Sequence, residues 1–114
     1  MTSGNTIVQS VERRWNKMVR ILEHTGFQIS FENGYTVSVV FGFGSRSDNN
    51  MREKAKECKN CEVAIMYTGL GFVTEDICRK YEEELSGIEF YGETIANVTP
   101  EELAKIIYLV SKEE

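Results

Sequence analysis

Residues 27 to 43 read Phe-Gln-Ile-Ser-Phe-Glu-Asn-Gly-Tyr-Thr-Val-Ser-Val-Val-Phe-Gly-Phe, two alternating apolar and polar runs that meet at Asn33-Gly34. Such alternation predicts two β-strands, and Asn-Gly between them is typical of a hairpin turn. A three-residue loop over 32–34 pairs Phe31 with Tyr35 and gathers the apolar side chains on one face. A two-residue loop would mix apolar and polar residues on each face, because a one-residue shift exchanges the faces. The pattern therefore predicts the three-residue loop, with its glycine at positive φ.

Helix and strand patterns divide the rest of the chain. Before the hairpin they predict a helix to about residue 16 and then a first strand. After it they predict a buried strand at 61–67, a short returning strand at 72–73, and a helix that is capped by Thr74 and stops at Ser86-Gly87. An edge strand at 88–91 follows, and the last helix is capped by Thr99, with Glu102 closing a capping box. Together they predict one domain over residues 1–114. Its fold class is α+β, a mainly antiparallel sheet of four to six strands with N-terminal and C-terminal helices packed on it.

The composition limits the class of protein. The chain has 114 residues and a net charge of -5, with no apolar run of about 18 residues and no signal-peptide pattern. Its three cysteines are an odd number, which fits a reducing compartment. We therefore expect a cytoplasmic protein without a membrane partner.

The charges are distributed unevenly. Residues 1–60 hold nine Lys and Arg against six Asp and Glu, whereas residues 61–114 hold four against twelve. Duplex nucleic acid is a poor partner for an acidic chain, because neutralisation of phosphates dominates that affinity. A small anion bound by the basic half fits the distribution better, and merely solvated charged faces are the alternative.

Residue patterns that indicate catalysis or metal binding are weak. The single histidine, His24, has no surrounding motif, and we predict no enzyme activity and no cofactor. Cys58-Lys59-Asn60-Cys61 has zinc-knuckle spacing, but a closed site needs four ligands, and only Cys78 and His24 remain to complete it. The alternative, that Cys61 and Cys78 are small apolar residues of the core, is simpler, and we predict no metal.

The best candidate site is the segment Gly42 to Asn50, which is rich in glycine, serine and asparagine. Glycines let backbone N–H groups approach an anion, and the planar guanidinium of Arg46 suits a phosphate. Serine, aspartate and asparagine can bind a ribose or a base edge, and aromatic rings can stack on a base, with Tyr35 as a further candidate. The predicted ligand-binding residues are Trp15, Phe41, Phe43, Gly44, Ser45, Arg46, Ser47, Asp48 and Asn49. The alternatives are a plain strand-to-helix connector and, for Trp15, an anchor of the first helix.

The hairpin and the segments after it resemble a group of small bacteriophage accessory proteins. The stretches that carry the resemblance are Phe31-Glu-Asn-Gly-Tyr-Thr-Val-Ser-Val-Val-Phe-Gly-Phe-Gly-Ser-Arg-Ser-Asp-Asn49 and Cys61-Glu-Val-Ala-Ile65. Some small phage proteins of this general size are sponges that sequester the nucleotide signals of Thoeris and CBASS immunity, commonly as oligomers. The resemblance thus implies an anti-defence protein of the host cytoplasm, a homo-oligomer that binds a small cyclic or ADP-ribose-type nucleotide without turnover.

The acidic second half of the chain favours an alternative function. Glu82-Glu83-Glu84 and Glu113-Glu114 could mimic the charge of nucleic acid and block a basic groove. The protein would then be an inhibitor module similar to the anti-CRISPR proteins, and it would act on a host defence effector by direct binding.

Overall fold

A computed structural model describes residues 17–22, 25–41 and 58–114 of the chain. Three predictions therefore fall outside the described residues. They are the helix to about residue 16 with Trp15, the segment with the predicted site residues 43–49, and the surroundings of His24.

Seven strands and two helices make up the described ranges. The strands are β1 Met18–Leu22, β2 Gly26–Ser30, β3 Tyr35–Val40, β4 Cys61–Tyr67, β5 Gly71–Phe72, β6 Glu89–Tyr91 and β7 Thr94–Val98, and the helices are α1 Thr74–Lys80 and α2 Pro100–Ser111. The strands pair antiparallel in the order β1-β2-β3-β4-β7-β6, and β5 pairs with β4. This confirms the α+β class and the antiparallel sheet. Within the same ranges, neither helix has the length and apolar character needed to cross a bilayer.

The hairpin has the predicted three-residue loop. Ile29 pairs with Val37 and Phe27 with Val39, and the Phe31 amide donates to the Tyr35 carbonyl at 2.8 Å. Gly34 has a φ of +95°, the left-handed conformation that the loop requires and that glycine adopts without steric cost. The strand register predicted from the alternation of apolar residues is therefore confirmed.

Asn33 in this loop also fastens the C-terminal helix to the sheet. Its Nδ2 donates to the carbonyl oxygens of Val110 at 2.9 Å and of Glu113 at 2.7 Å. Its Oδ1 accepts from the Tyr35 amide at 3.0 Å. Carbonyls in the last turn of a helix lack the usual helical partner. The Val110 carbonyl also accepts from the Glu113 amide at 3.1 Å, so the Asn33 side chain adds a bond between the hairpin loop and the helix end.

The core lies between one face of the sheet and α2. Val37, Val39, Val63, Ile65 and Ile95 supply the sheet side, with Ile106 and Val110 from the helix, all essentially inaccessible to solvent. The predicted capping box of the helix is present: the Thr99 hydroxyl accepts from the Glu102 amide at 3.2 Å, and the Glu102 carboxylate accepts from the Thr99 amide at 2.9 Å. The predicted C-terminal helix packed on the sheet is thus confirmed.

Thr74 was predicted as a helix cap, and this is wrong. It is the first residue of α1 and is buried, and Val73, at the cap position, makes no side-chain bond. The Thr74 hydroxyl accepts from the Ile65 amide at 2.9 Å and donates to the Glu93 carbonyl at 2.7 Å. Strand β4 pairs with β5 at Met66 and Tyr67 and with β7 at Cys61 and Val63. The Thr74 hydroxyl thus supplies a hydrogen-bond partner to Ile65, which lies between these two pairings.

Helix α1 also ends earlier than predicted, at Lys80 and not near Gly87. Residues 81–87 form turns in which the Leu85 amide donates to the Tyr81 carbonyl at 2.9 Å. The physical reason is the acidic run 82–84, since negative charge is unfavourable near the negative C-terminal end of a helix.

Candidate functional site

An apolar cavity of about 150 Å³ lies where α2 begins, at one end of the strands. Phe27 and Val39 are paired in the hairpin register, and Phe41 follows two residues later on the same face because side chains alternate along a strand. The lining residues are Phe27, Val39, Phe41, Cys58, Lys59, Asn60, Cys61, Val98, Pro100 and Leu103. The hairpin therefore supplies two aromatic residues to one small cavity.

Close approach of two strands positions Phe41. A Cβ atom on Gly26 would overlap the carbonyl oxygen of Val39 and would contact the Cα of Val40 at 2.9 Å. Because glycine has no Cβ, β2 starts directly against the end of β3, and the Phe41 amide donates to the Thr25 carbonyl at 2.7 Å. The backbone of Phe41 is thus held opposite Thr25, two residues along from the pair Phe27 and Val39.

The polar part of the cavity is small, and Lys59 is the one charged residue among the described residues that line it. Exposed Lys59 contributes a positive charge and Asn60 an amide. The N-terminus of α2 is close by, but Glu102 closes its capping box and its first turn holds two glutamates. The N-terminal end of α2 is therefore a poor site for an anion, although helix N-termini often bind one.

Phe41 is the one predicted site residue within the described ranges, and it lies on the cavity. The segment 42–57, which holds the predicted residues Phe43 to Asn49, leaves the described chain after Phe41 and returns to it at Cys58. Both of these residues line the cavity. Trp15 and the predicted residues of this segment remain predictions.

Tyr35, the further candidate for stacking, does not line this cavity. It begins β3, six residues before Phe41, which places it about 20 Å away along the strand. Its ring instead packs on Tyr67, with 4.7 Å between the ring centroids. The sequence pattern correctly put Tyr35 and Phe41 on one face but did not show that they lie at opposite ends of it.

The cysteines of the knuckle motif differ in environment from a zinc site. Cys61 is buried, its sulfur donates to the Val98 carbonyl at 3.7 Å, and burial, with a smaller contribution from Cys58, raises its pKa to about 12. Burial likewise raises the pKa of Cys78 to about 11. In both residues burial therefore disfavours the thiolate, the form that binds metal or attacks a substrate. Within the described ranges no group of three or more metal-binding side chains occurs.

A buried carboxylate forms a second polar cluster at the far end of α2. Glu113 is only 7% exposed, and it accepts hydrogen bonds from the Lys80 ammonium and the Tyr81 hydroxyl, each at 2.5 Å. Burial acts to raise the pKa of Glu113, but these hydrogen bonds and the charge of Lys80 outweigh it, and the pKa lies below its ordinary value. The cluster ties the C-terminal residues to α1, so we assign it a structural role.

Replacement of Glu113 by glutamine is expected to remove part of the pH dependence of stability. A carboxyl whose pKa is lowered by folding stabilises the protein above its unfolded pKa, about 4.5. This stabilisation is lost as the pH falls through the folded value. Urea unfolding should therefore separate wild type from Glu113→Gln above about pH 5, with the difference shrinking on acidification. The exposed neighbour provides the control variant, Glu114→Gln. The structural role of Glu113 would be refuted if Glu114→Gln lowered the free energy of unfolding equally, or if the difference between wild type and Glu113→Gln did not change with pH.

Several cavity residues were not predicted as site residues. Phe27 could have been found, since the hairpin register places it beside Val39, next to Phe41 on one face. Asn60 and Leu103 carry no such pattern, because they reach the cavity only when β4 and α2 pack against the hairpin.

Comparison with known proteins adds no further residue: no protein-family model, no curated protein and no solved structure matches this chain.

Proposed function

We propose that the protein is a phage anti-defence protein that binds a small cyclic or ADP-ribose-type nucleotide and sequesters it without turnover in the host cytoplasm. The observation that carries the proposal is the aromatic cavity lined by Phe27 and Phe41. Cys58 lines it too, so the described residues on either side of the segment 42–57, which contains Arg46, both lie on the cavity. The resemblance of the hairpin to phage accessory proteins supports the biological setting.

The size of the cavity supports a flat ring as the bound group. Pockets that enclose a whole drug-sized ligand occupy about 300–1,000 Å³. The cavity here, at about 150 Å³, is smaller and suits one base, with the rest of the nucleotide outside. Stacking of a base on an aromatic side chain contributes about 1–3 kcal/mol, and Phe41 is the residue to which we assign it.

The phosphates would then lie outside the cavity, and we propose that basic side chains bind them there. Lys59 lies at the cavity, and Arg46 belongs to the segment that begins after Phe41 and ends before Cys58. An arginine can hold a phosphate through two parallel hydrogen bonds, whereas lysine acts as a point charge. We propose Arg46 as the main phosphate ligand, assisted by the amides of Gly44 and Ser45.

Calorimetric titration tests the proposal with a panel of cyclic mononucleotides, cyclic dinucleotides, cyclic trinucleotides, ADP-ribose and cyclic ADP-ribose. Wild type should bind at least one of them, and Phe41→Leu, which keeps an apolar side chain but loses the ring, should bind it roughly 5- to 150-fold more weakly. Arg46→Ala should weaken it further. Phe72→Leu, a change of the same kind on exposed β5, is the matched control and should bind like wild type. No heat with any nucleotide at micromolar protein would refute the proposal.

One observation favours the second candidate, an acidic inhibitor module that binds a host defence effector. Glu82, Glu83 and Glu84 are all exposed, and two of them line a groove of about 480 Å³. Glu113, in contrast, is buried against Lys80 and does not belong to such a surface. Pull-down of a host effector tests this candidate. If charge reversal of residues 82–84 abolishes the binding and Arg46→Ala leaves it intact, the inhibitor module is favoured over the nucleotide sponge.

A further inference from the structure

A row of apolar side chains crosses the entire sheet on the face that carries α2. Following the strand registers, the row runs through Ile21, Phe27, Val39, Val63, Ile95 and Phe90. Its middle is fully buried, whereas Ile21 at one end is 81% exposed and Phe90 at the other end is 37% exposed. The apolar face therefore continues to both ends of the described sheet, beyond the area that the helices cover.

The two end strands carry opposite charges next to these exposed ends. Strand β1 holds Arg20 and follows directly after Lys17, and Val19 is exposed beside Ile21. At the other end, Phe90 lies in the groove of about 480 Å³, whose apolar lining includes Ile88 and Leu85.

Acidic side chains surround that groove. Glu82 and Glu83 line it and are exposed, while the third carboxylate, Glu75, is paired with Arg79 at 2.5 Å. The groove thus suits an extended segment with apolar side chains and a positive charge at one end. The segment Lys17 to Leu22 has this chemistry, although Lys17 also contacts Glu32 at 3.0 Å in its own chain. An exposed ion pair of that kind is worth little and is readily exchanged for another.

We infer that β1 of one copy of this chain pairs antiparallel with β6 of a second copy. Every strand in the order β1-β2-β3-β4-β7-β6 is antiparallel to its neighbour, so β1 and β6 run in opposite directions. A second copy in the same orientation therefore presents its β1 antiparallel to β6, with the helices of both copies on one face. With Val19 opposite Phe90, Ile21 lies opposite Ile88, just before β6. Lys17, on the same face as Val19, then lies opposite Gly92, next to the exposed carboxylate of Glu93.

This contact joins two different surfaces and is therefore head-to-tail. Each copy keeps one end strand available, so the assembly grows until it closes into a ring or forms a chain. Pairing removes the edges of the sheet, which are a liability when they are exposed and apolar. The inference goes beyond the proposed function and does not depend on it, since no nucleotide takes part in the contact.

Light scattering after gel filtration tests the pairing with three variants of the full chain. Ile21→Lys should block the β1 surface and Phe90→Lys the β6 surface, each raising the dissociation constant at least tenfold and leaving mainly monomer. Leu70→Lys places the same charge on a residue that is 74% exposed in the turn between β4 and β5, and it should behave like wild type. Circular dichroism checks that each variant is folded.

Mixing the two blocked variants gives the decisive result. Ile21→Lys retains an intact β6 surface and Phe90→Lys an intact β1 surface, so an equimolar mixture should form a dimer that does not grow further. A mixture that remains monomeric overturns the inference, as does a wild type that is monomeric at all concentrations. If Ile21→Lys dissociates the assembly and Phe90→Lys does not, β1 pairs with β1 of the second copy and the head-to-tail arrangement is wrong.

Discussion

Replacing Gly26 with alanine is expected to lower the free energy of unfolding by about 3 kcal/mol or more, a large effect for one methyl group. The added Cβ would overlap the Val39 carbonyl oxygen, which belongs to the backbone of a central strand and cannot rotate away as a side chain could. The strands β2 and β3 would have to separate where the Phe41 amide bonds to the Thr25 carbonyl. Urea denaturation measures the loss, and nucleotide binding should weaken in the same variant because Phe41 moves.

A second glycine provides the matched control. Gly69 has a positive φ, +85°, and a Cβ added there meets nothing within 4 Å. Gly69→Ala should therefore cost only the left-handed backbone conformation, about 1–2 kcal/mol. If the two alanine variants lower the free energy of unfolding by the same amount, the close approach of β2 and β3 is not the reason that residue 26 must be glycine.

Replacing Thr74 with valine should lower the free energy of unfolding by about 2–4 kcal/mol. The two side chains have similar shape, so packing is nearly unchanged. The Ile65 amide, however, loses its acceptor in the interior, and the Glu93 carbonyl loses its donor. A buried polar group left without a partner costs about 1–3 kcal/mol.

The conservative substitution Thr74→Ser separates the hydrogen bonds from the packing. It keeps the hydroxyl and removes one methyl group, so its cost should stay near 1 kcal/mol, as for other buried methyl groups. A serine variant as unstable as the valine variant would show that the methyl group matters and that the hydroxyl does not bridge β4 and the turn before β7.

Local patterns determined the parts of the fold that depend on local physics. The hairpin register follows from alternation on both sides of Asn33-Gly34, and the α2 cap follows from Thr99, Pro100 and Glu102. In each case the deciding interactions lie within a few residues in the chain. Patterns of this kind can be found in a sequence because their geometry repeats from protein to protein.

Long-range contacts decided the parts that the sequence could not predict. Thr74 before two acidic residues is typical of a helix cap, yet its hydroxyl is needed by Ile65, nine positions earlier. Strand β7 was missed because its alternation is short and ends at Asn97, which has a φ of 51° beside an irregular pairing with β4.

The candidate site shows the same division between local and distant contacts. Phe41 was predicted as a site residue from its strand, and the cavity that it lines forms only when Val98 and Leu103, far along the chain, pack nearby. Sequence reasoning could therefore name a candidate segment from residue types but could not locate the cavity beside it.

Native mass spectrometry of the protein purified from cells that produce the immune signal tests the sponge proposal most directly. The predicted spectrum contains the chain with an intact nucleotide bound, and the Phe41→Leu variant should lose that added mass. Bare protein from signalling cells, or protein that carries only a hydrolysed product, would contradict sequestration without turnover.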